Sequence, residues 1–126
     1  CSIGADIIVR VWGDCPVVDP YIIDDALDLF RSGYLYTDGY PVGQNIAVVD
    51  FKTLEDAYLN VKEPEDRHWI HNYLKRQNNA IVMRSGEDLS HIRLVVDTED
   101  DLLAIRRCCK RPGSKDGTSY NPNNHA

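Results

Sequence analysis

The sequence predicts an α/β fold, an open sheet with helices flanking it, and three observations carry that reading. Short β-branched runs alternate along the chain with segments whose apolar residues recur at helical spacing. Ile7, Ile8, Val9 and Val11 form one such run, which ends at Gly13-Asp14 before a helical pattern opens at Asp19-Pro20. His91 to Asp97 repeats the design: an apolar run, again closed by an acid, with a helix expected from Thr98. In open α/β sheets ligands bind outside the carboxyl ends of the strands. If both runs are buried strands lying parallel in one sheet, Asp14 and Asp97 arrive at the same edge.

The elements follow in order. Asp19 is a good N-cap and Pro20 suits the first helical position. From there to Arg31, Ile22, Ile23, Ala26, Leu27 and Phe30 form one apolar stripe, closed by Ser32-Gly33. Residues 34–43 surround a weak strand with Tyr34, Tyr36 and Tyr40 at even spacing and a turn at Asp38-Gly39. They read more readily as a tyrosine-bearing loop over the core than as a lid. Residues 44–51 form a good strand. Thr53, with Asp56 in capping-box spacing, is expected to open a short helix. A further helix starts at Pro64 and carries Trp69, Ile70, Tyr73 and Leu74. Residues 80–84 form a short strand, 91–97 a core strand, and Thr98 with Asp101 caps a last helix running to about Cys109.

Composition narrows the function classes. A chain of 126 residues is expected to hold one domain, residues 1–110. Residues 111–126 have almost no apolar content and read as a disordered tail. A net charge of −6 argues against a non-specific nucleic-acid binder. Cys1, Cys15, Cys108 and Cys109 show no C-x-x-C spacing, which fits buried thiols in a reducing, cytoplasmic setting and not a zinc site. No signal peptide is visible, and no run approaches the roughly 20 apolar residues of a membrane span, so no membrane association is expected.

Asp14 and Asp97 are the foremost candidates for chemistry. Two strand-end carboxylates can hold Mg²⁺ through one or two oxygens each and leave positions for phosphate and water. The competing reading is two turn aspartates at helix starts. His68 and His71 lie three apart on a predicted helix, but no third zinc ligand is placed with them. Arg10 and Arg93 sit inside strand patterns, where arginine pairs with a buried acid or a ligand phosphate. Cys15 has no His nearby in sequence to activate it and reads as a small buried residue.

The run Gly13-Asp14-Cys15-Pro16-Val17-Val18-Asp19-Pro20 after a strand, followed by an Ile-rich helix, resembles cytidylyltransferases acting on sugar acids. The spore-coat-polysaccharide and acylneuraminate branch is the one it resembles most. Tyr40-Pro41-Val42-Gly43, Arg67-His68 and Asp97-Thr98-Glu99-Asp100-Asp101-Leu102 match later family segments in order, over about residues 5–108. The resemblance implies a Rossmann-like nucleotidyltransferase sheet in which Asp14 and Asp97 hold Mg²⁺. A sugar hydroxyl would attack the α-phosphate of CTP, with pyrophosphate leaving. Two positions depart from the family: Val42 and Arg67 stand where it usually has acids. The family's N-terminal, nucleotide-binding half is also expected to be lacking, since no Gly-rich phosphate loop occurs. The chain therefore reads as a truncated or split enzyme, inactive or weak alone, with weak affinity for CTP or a sugar acid. Self-association as a homodimer is expected through the exposed sheet edge. The alternatives are a non-catalytic α/β module that dimerises or binds a protein, and a small metal-dependent enzyme on another phosphorylated substrate.

Overall fold

The structure is a computed structural model and describes residues 3–109. The expected tail, 111–126, lies outside the described residues. Two compact units divide the chain between Val95 and Val96.

The first unit is built on a four-stranded sheet in the order β1-β3-β2-β4. Its strands are β1 (Ile7–Arg10), β2 (Tyr34–Asp38), β3 (Ala47–Asp50) and β4 (Ala80–Arg84). β3 runs antiparallel to both β1 and β2, while β4 is parallel to β2. β1, β2 and β4 therefore share one direction, and their carboxyl ends lie at one edge of the sheet. The helices of this unit are α1 (Pro20–Leu29), α2 (Phe51–Asn60), α3 (Pro64–His68) and α4 (Ile70–Lys75).

Side chains alternate across each strand, so the sheet offers two faces. Leu35, Val48 and Met83 pack with Ile22 and Ala26 of α1 and with its capping residue Phe30 on one face. Tyr34, Ala47 and Val49 pack with Ala57 of α2 and Leu74 of α4 on the other. Both faces are thus covered, and the two central strands are the best-buried part: Leu35 and Val48 have no exposed surface. The weak strand expected within residues 34–43 is present, and what is overturned is the reading of its tyrosines as a loop covering the core. Tyr34–Asp38 is a central strand whose tyrosines belong to the second core.

The first strand also differs from expectation. β1 is an edge strand, only half buried, with Ile7 exposed. Its β-branched run shows strand propensity but not sheet position. Asp50, not Thr53, caps α2. The strand passes straight into the helix, and the Asp50 carboxylate accepts from Thr53 N–H at 2.7 Å. The helix expected from Pro64 is two short ones, broken at Trp69, whose backbone leaves helical geometry at φ −112°, ψ 62°.

His91–Asp97 is not a strand of the sheet. Its extended pairing is a single parallel bridge, Arg93 to Val42. Val42 N–H donates to Ile92 O at 2.7 Å and Leu94 N–H to Val42 O at 2.6 Å. The chain after β2 has already turned at Gly39 and Pro41, so it offers this segment one residue instead of a ladder. Gly43 is where the two backbones cross: at φ +107°, a Cβ there would lie 2.5 Å from Leu94 O.

In the second unit, α5 (Glu99–Cys108) begins at the expected capping box. Thr98 Oγ1 accepts from Asp101 N–H, and Asp101 Oδ2 accepts from the N–H groups of Thr98 and Asp97.

Candidate functional site

The shared carboxyl edge of β1, β2 and β4 positions the candidate groups. Beyond β1 the chain forms a tight turn, with Cys15 N–H donating to Trp12 O at 3.1 Å. That turn leaves Asp14 exposed, with the Cys15 thiol donating to its Oδ1 at 3.4 Å. Asp97 is also exposed and lies in the second unit, at the start of α5, where its backbone N–H is engaged by Asp101. Exposed carboxylates are hard oxygen donors of the kind Mg²⁺ takes while keeping several waters, so each residue suits that ion chemically. Among the described residues no three His, Cys, Asp or Glu side chains converge on one point.

Beside the β1 turn a cleft of about 300 Å³ opens over the ends of β1 and β2. Trp12, Tyr34, Tyr36, Tyr40, His71 and Lys75 give it an aromatic and basic wall. α4 places His71 and Lys75 one turn apart, so both reach the cleft. Arg10 stands behind that wall. Its guanidinium lies over the Trp12 ring at 4.8 Å, and its Nη1 is 3.4 Å from His71 Nδ1. Lys75 Nζ lies 4.8 Å from the centre of the Tyr36 ring, which in turn stacks on Tyr34 at 5.9 Å. Among the described residues neither Arg10 nor Lys75 has a carboxylate within 4 Å.

These positions set the protonation states. Burial, with Arg10 and Lys75 close by, lowers the His71 pKa below its ordinary 6.5. Burial pushes Tyr34 up to about 12, so its hydroxyl stays protonated at any physiological pH. Asp38, the acid on the cleft wall, is paired with Arg84 at 2.5 Å. At the back of the cleft Thr37 Oγ1 accepts from Ile46 N–H at 2.9 Å, which ties the end of β2 to the start of β3.

Known proteins narrow what such an edge belongs to. No family model matches the chain. An uncharacterized protein of Methanocaldococcus jannaschii is 29% identical over 106 residues, covering 78% of this chain and 44% of that protein. A solved cytidylyltransferase from Leptospira borgpetersenii serovar Hardjo-bovis superposes with a TM-score of 0.76 at 27% identity. That superposition covers 83% of this chain and 49% of the solved one. The fold is cytidylyltransferase-like. The chain spans just under half the length of each of these two proteins.

Within this cytidylyltransferase-like sheet, Arg10 is a sequence candidate that the structure brings behind the wall of the cleft. It meets a histidine and a tryptophan there, not a buried acid. His71 joins it, while the break at Trp69 separates His68, whose ring packs edge-on against Trp69 at 4.8 Å. Arg93 stays at the exposed bridge to Val42. Cys15 is half buried, its thiol donating a hydrogen bond to Asp14, while Cys108 and Cys109 are exposed at the C-terminal end of α5 and not buried as expected. Lys75, Trp12 and Thr37 are site residues that sequence reasoning missed. The spacing of His71 and Lys75, four apart on one helix, was the visible signal for the first of them.

Proposed function

We propose that this chain supplies the acceptor-side part of a cytidylyltransferase that moves CMP from CTP to a sugar acid, with low activity by itself. The observation that carries this reading is the exposed carboxylate of Asp14 at the exit of β1, beside a cleft at the same edge of a cytidylyltransferase-like sheet. Asp14 would be a ligand of Mg²⁺, which when bound neutralises charge on a transferring nucleotidyl group. Calorimetric titration of CTP with Mg²⁺ is expected to give saturable heat that Asp14→Asn abolishes. Equal heats from the two proteins would overturn the Asp14 assignment.

A second reading has one observation in its favour. β1 is an edge strand with Ile7 half exposed, and α2 presents Tyr58 and Leu59 to solvent at 62% and 70% exposure. Open edges and apolar patches invite pairing with another chain. On this reading the protein is a self-associating module without chemistry. Sedimentation velocity would then show a concentration-dependent dimer, with no response to CTP.

A further inference from the structure

We propose that the cleft between β2 and α4 binds a single ring carrying one anionic group, a carboxylate or a phosphate. The Lys75 ammonium and an imidazole N–H of His71, whose tautomer Arg10 fixes, hold the anion. The inference stands on the chemistry of the cleft and not on the transferase reading.

The argument starts from Arg10. A guanidinium has donors only and stays charged in proteins. The 3.4 Å contact between Arg10 Nη1 and His71 Nδ1 therefore makes Nδ1 the acceptor. His71, which lines the cleft, is then a neutral imidazole with its proton on Nε2. Burial and the two cations near it keep it in that form. Arg10 is a positioning residue: it does not line the cleft but sets what His71 presents there.

Lys75 supplies the charge. Its ammonium rests on the Tyr36 ring, which orients it without neutralising it. Tyr34, also among the lining residues, is kept protonated by burial and brings no negative charge to the cleft. The acid on that wall, Asp38, is already balanced by Arg84. The net preference of the wall is therefore for an anion. The rings of Trp12, Tyr36 and Tyr40 provide flat apolar surface for the remainder of the ligand. A cleft of about 300 Å³ is at the bottom of the range for small-molecule sites, which suits one ring and one charged group.

The test uses the full chain in Mg²⁺-free buffer, so that it is independent of CTP binding. Benzoate, phenyl phosphate and inorganic phosphate are titrated separately, following tryptophan fluorescence and the imidazole nitrogen resonances of His71. Benzoate or phenyl phosphate is expected to saturate and to shift Nε2–H, and whichever binds more tightly identifies the anionic group. Lys75→Gln, at an exposed position, should weaken that binding about 10-fold, the worth of one charge-assisted hydrogen bond. Lys62→Gln removes the same charge from an exposed site outside the cleft and should leave binding unchanged. Arg10→Gln should weaken binding and mix the His71 tautomers, whereas Arg10→Lys should retain both. Three results would overturn the proposal: saturation by neither ring probe, equal loss in Lys75→Gln and Lys62→Gln, or inorganic phosphate binding as tightly as phenyl phosphate.

Discussion

At the scale of single residues, His71 and Asp50 each couple a local contact to pH. His71 has its pKa lowered by burial, then by Arg10 and Lys75. The other titratable groups of its surroundings are Tyr34 and Tyr36 on β2, Tyr40 beyond it, and Asp38, which is held by Arg84. The unfolded chain therefore takes up the His71 proton at a higher pH than the folded one. Stability is complete above the ordinary histidine value of 6.5 and falls as the pH drops from there through the folded value. Urea unfolding at a series of pH values should show that decline, and His71→Gln should flatten it. Asp50 has the opposite chemistry and the same sign. Burial alone would raise its pKa, but hydrogen bonds from Thr53 and Gly33 outweigh burial and lower it. Its stabilising effect is present above the ordinary 3.8 and is lost as the pH falls through the lowered value. Asp50 also holds Gly33 N–H at 2.6 Å, tying the start of β2 to the end of β3. Asp50→Ala should cost about 1–2 kcal/mol in chemical denaturation, the usual loss for an N-cap.

At the scale of elements, the helix starts show what a sequence displays and what it hides. The Thr98–Asp101 box and the Asp19-Pro20 start are local chemistry, complete within four residues, and both form as expected. Asp50 was hidden because it also ends a strand, and only the sheet decides where that strand stops. The break at Trp69 was hidden because Ile70, Tyr73 and Leu74 keep helical spacing on their own. His91–Asp97 has the composition of a strand, but composition does not supply a neighbour. The Tyr40–Gly43 segment gains its meaning from that same place. Its glycine is required by the backbone of Leu94 and by a positive φ. Gly43→Ala should therefore destabilise by roughly 3 kcal/mol or more, as strain at a special backbone position does. Gly86→Ala, where a Cβ would meet nothing, is the matched control in a thermal melt. The cleft was legible only in part. Arg10 drew notice as a charge inside a strand, and His71 as half of a histidine pair, but their convergence depends on α4 crossing the end of β1.

For the whole molecule, the direction of one strand matters beyond the position of the cleft. β3 is reversed relative to its neighbours, so it meets β2 as an antiparallel partner nearby in the chain, from Tyr36 opposite Ala47 to Tyr34 opposite Val49. β1 joins β3 only across α1 and β2, and β4 joins β2 only after α2, α3 and α4. Closing a short loop loses less chain entropy than closing a long one. The β2–β3 pair is therefore the natural kernel of assembly, with β1 and β4 added on either side of it. Pulse-labelled amide exchange during refolding should protect β2 and β3 first and β1 later. Arg10 and Trp12 arrive with β1, so the wall of the cleft would be among the last features to form, after the core that supports it is already closed.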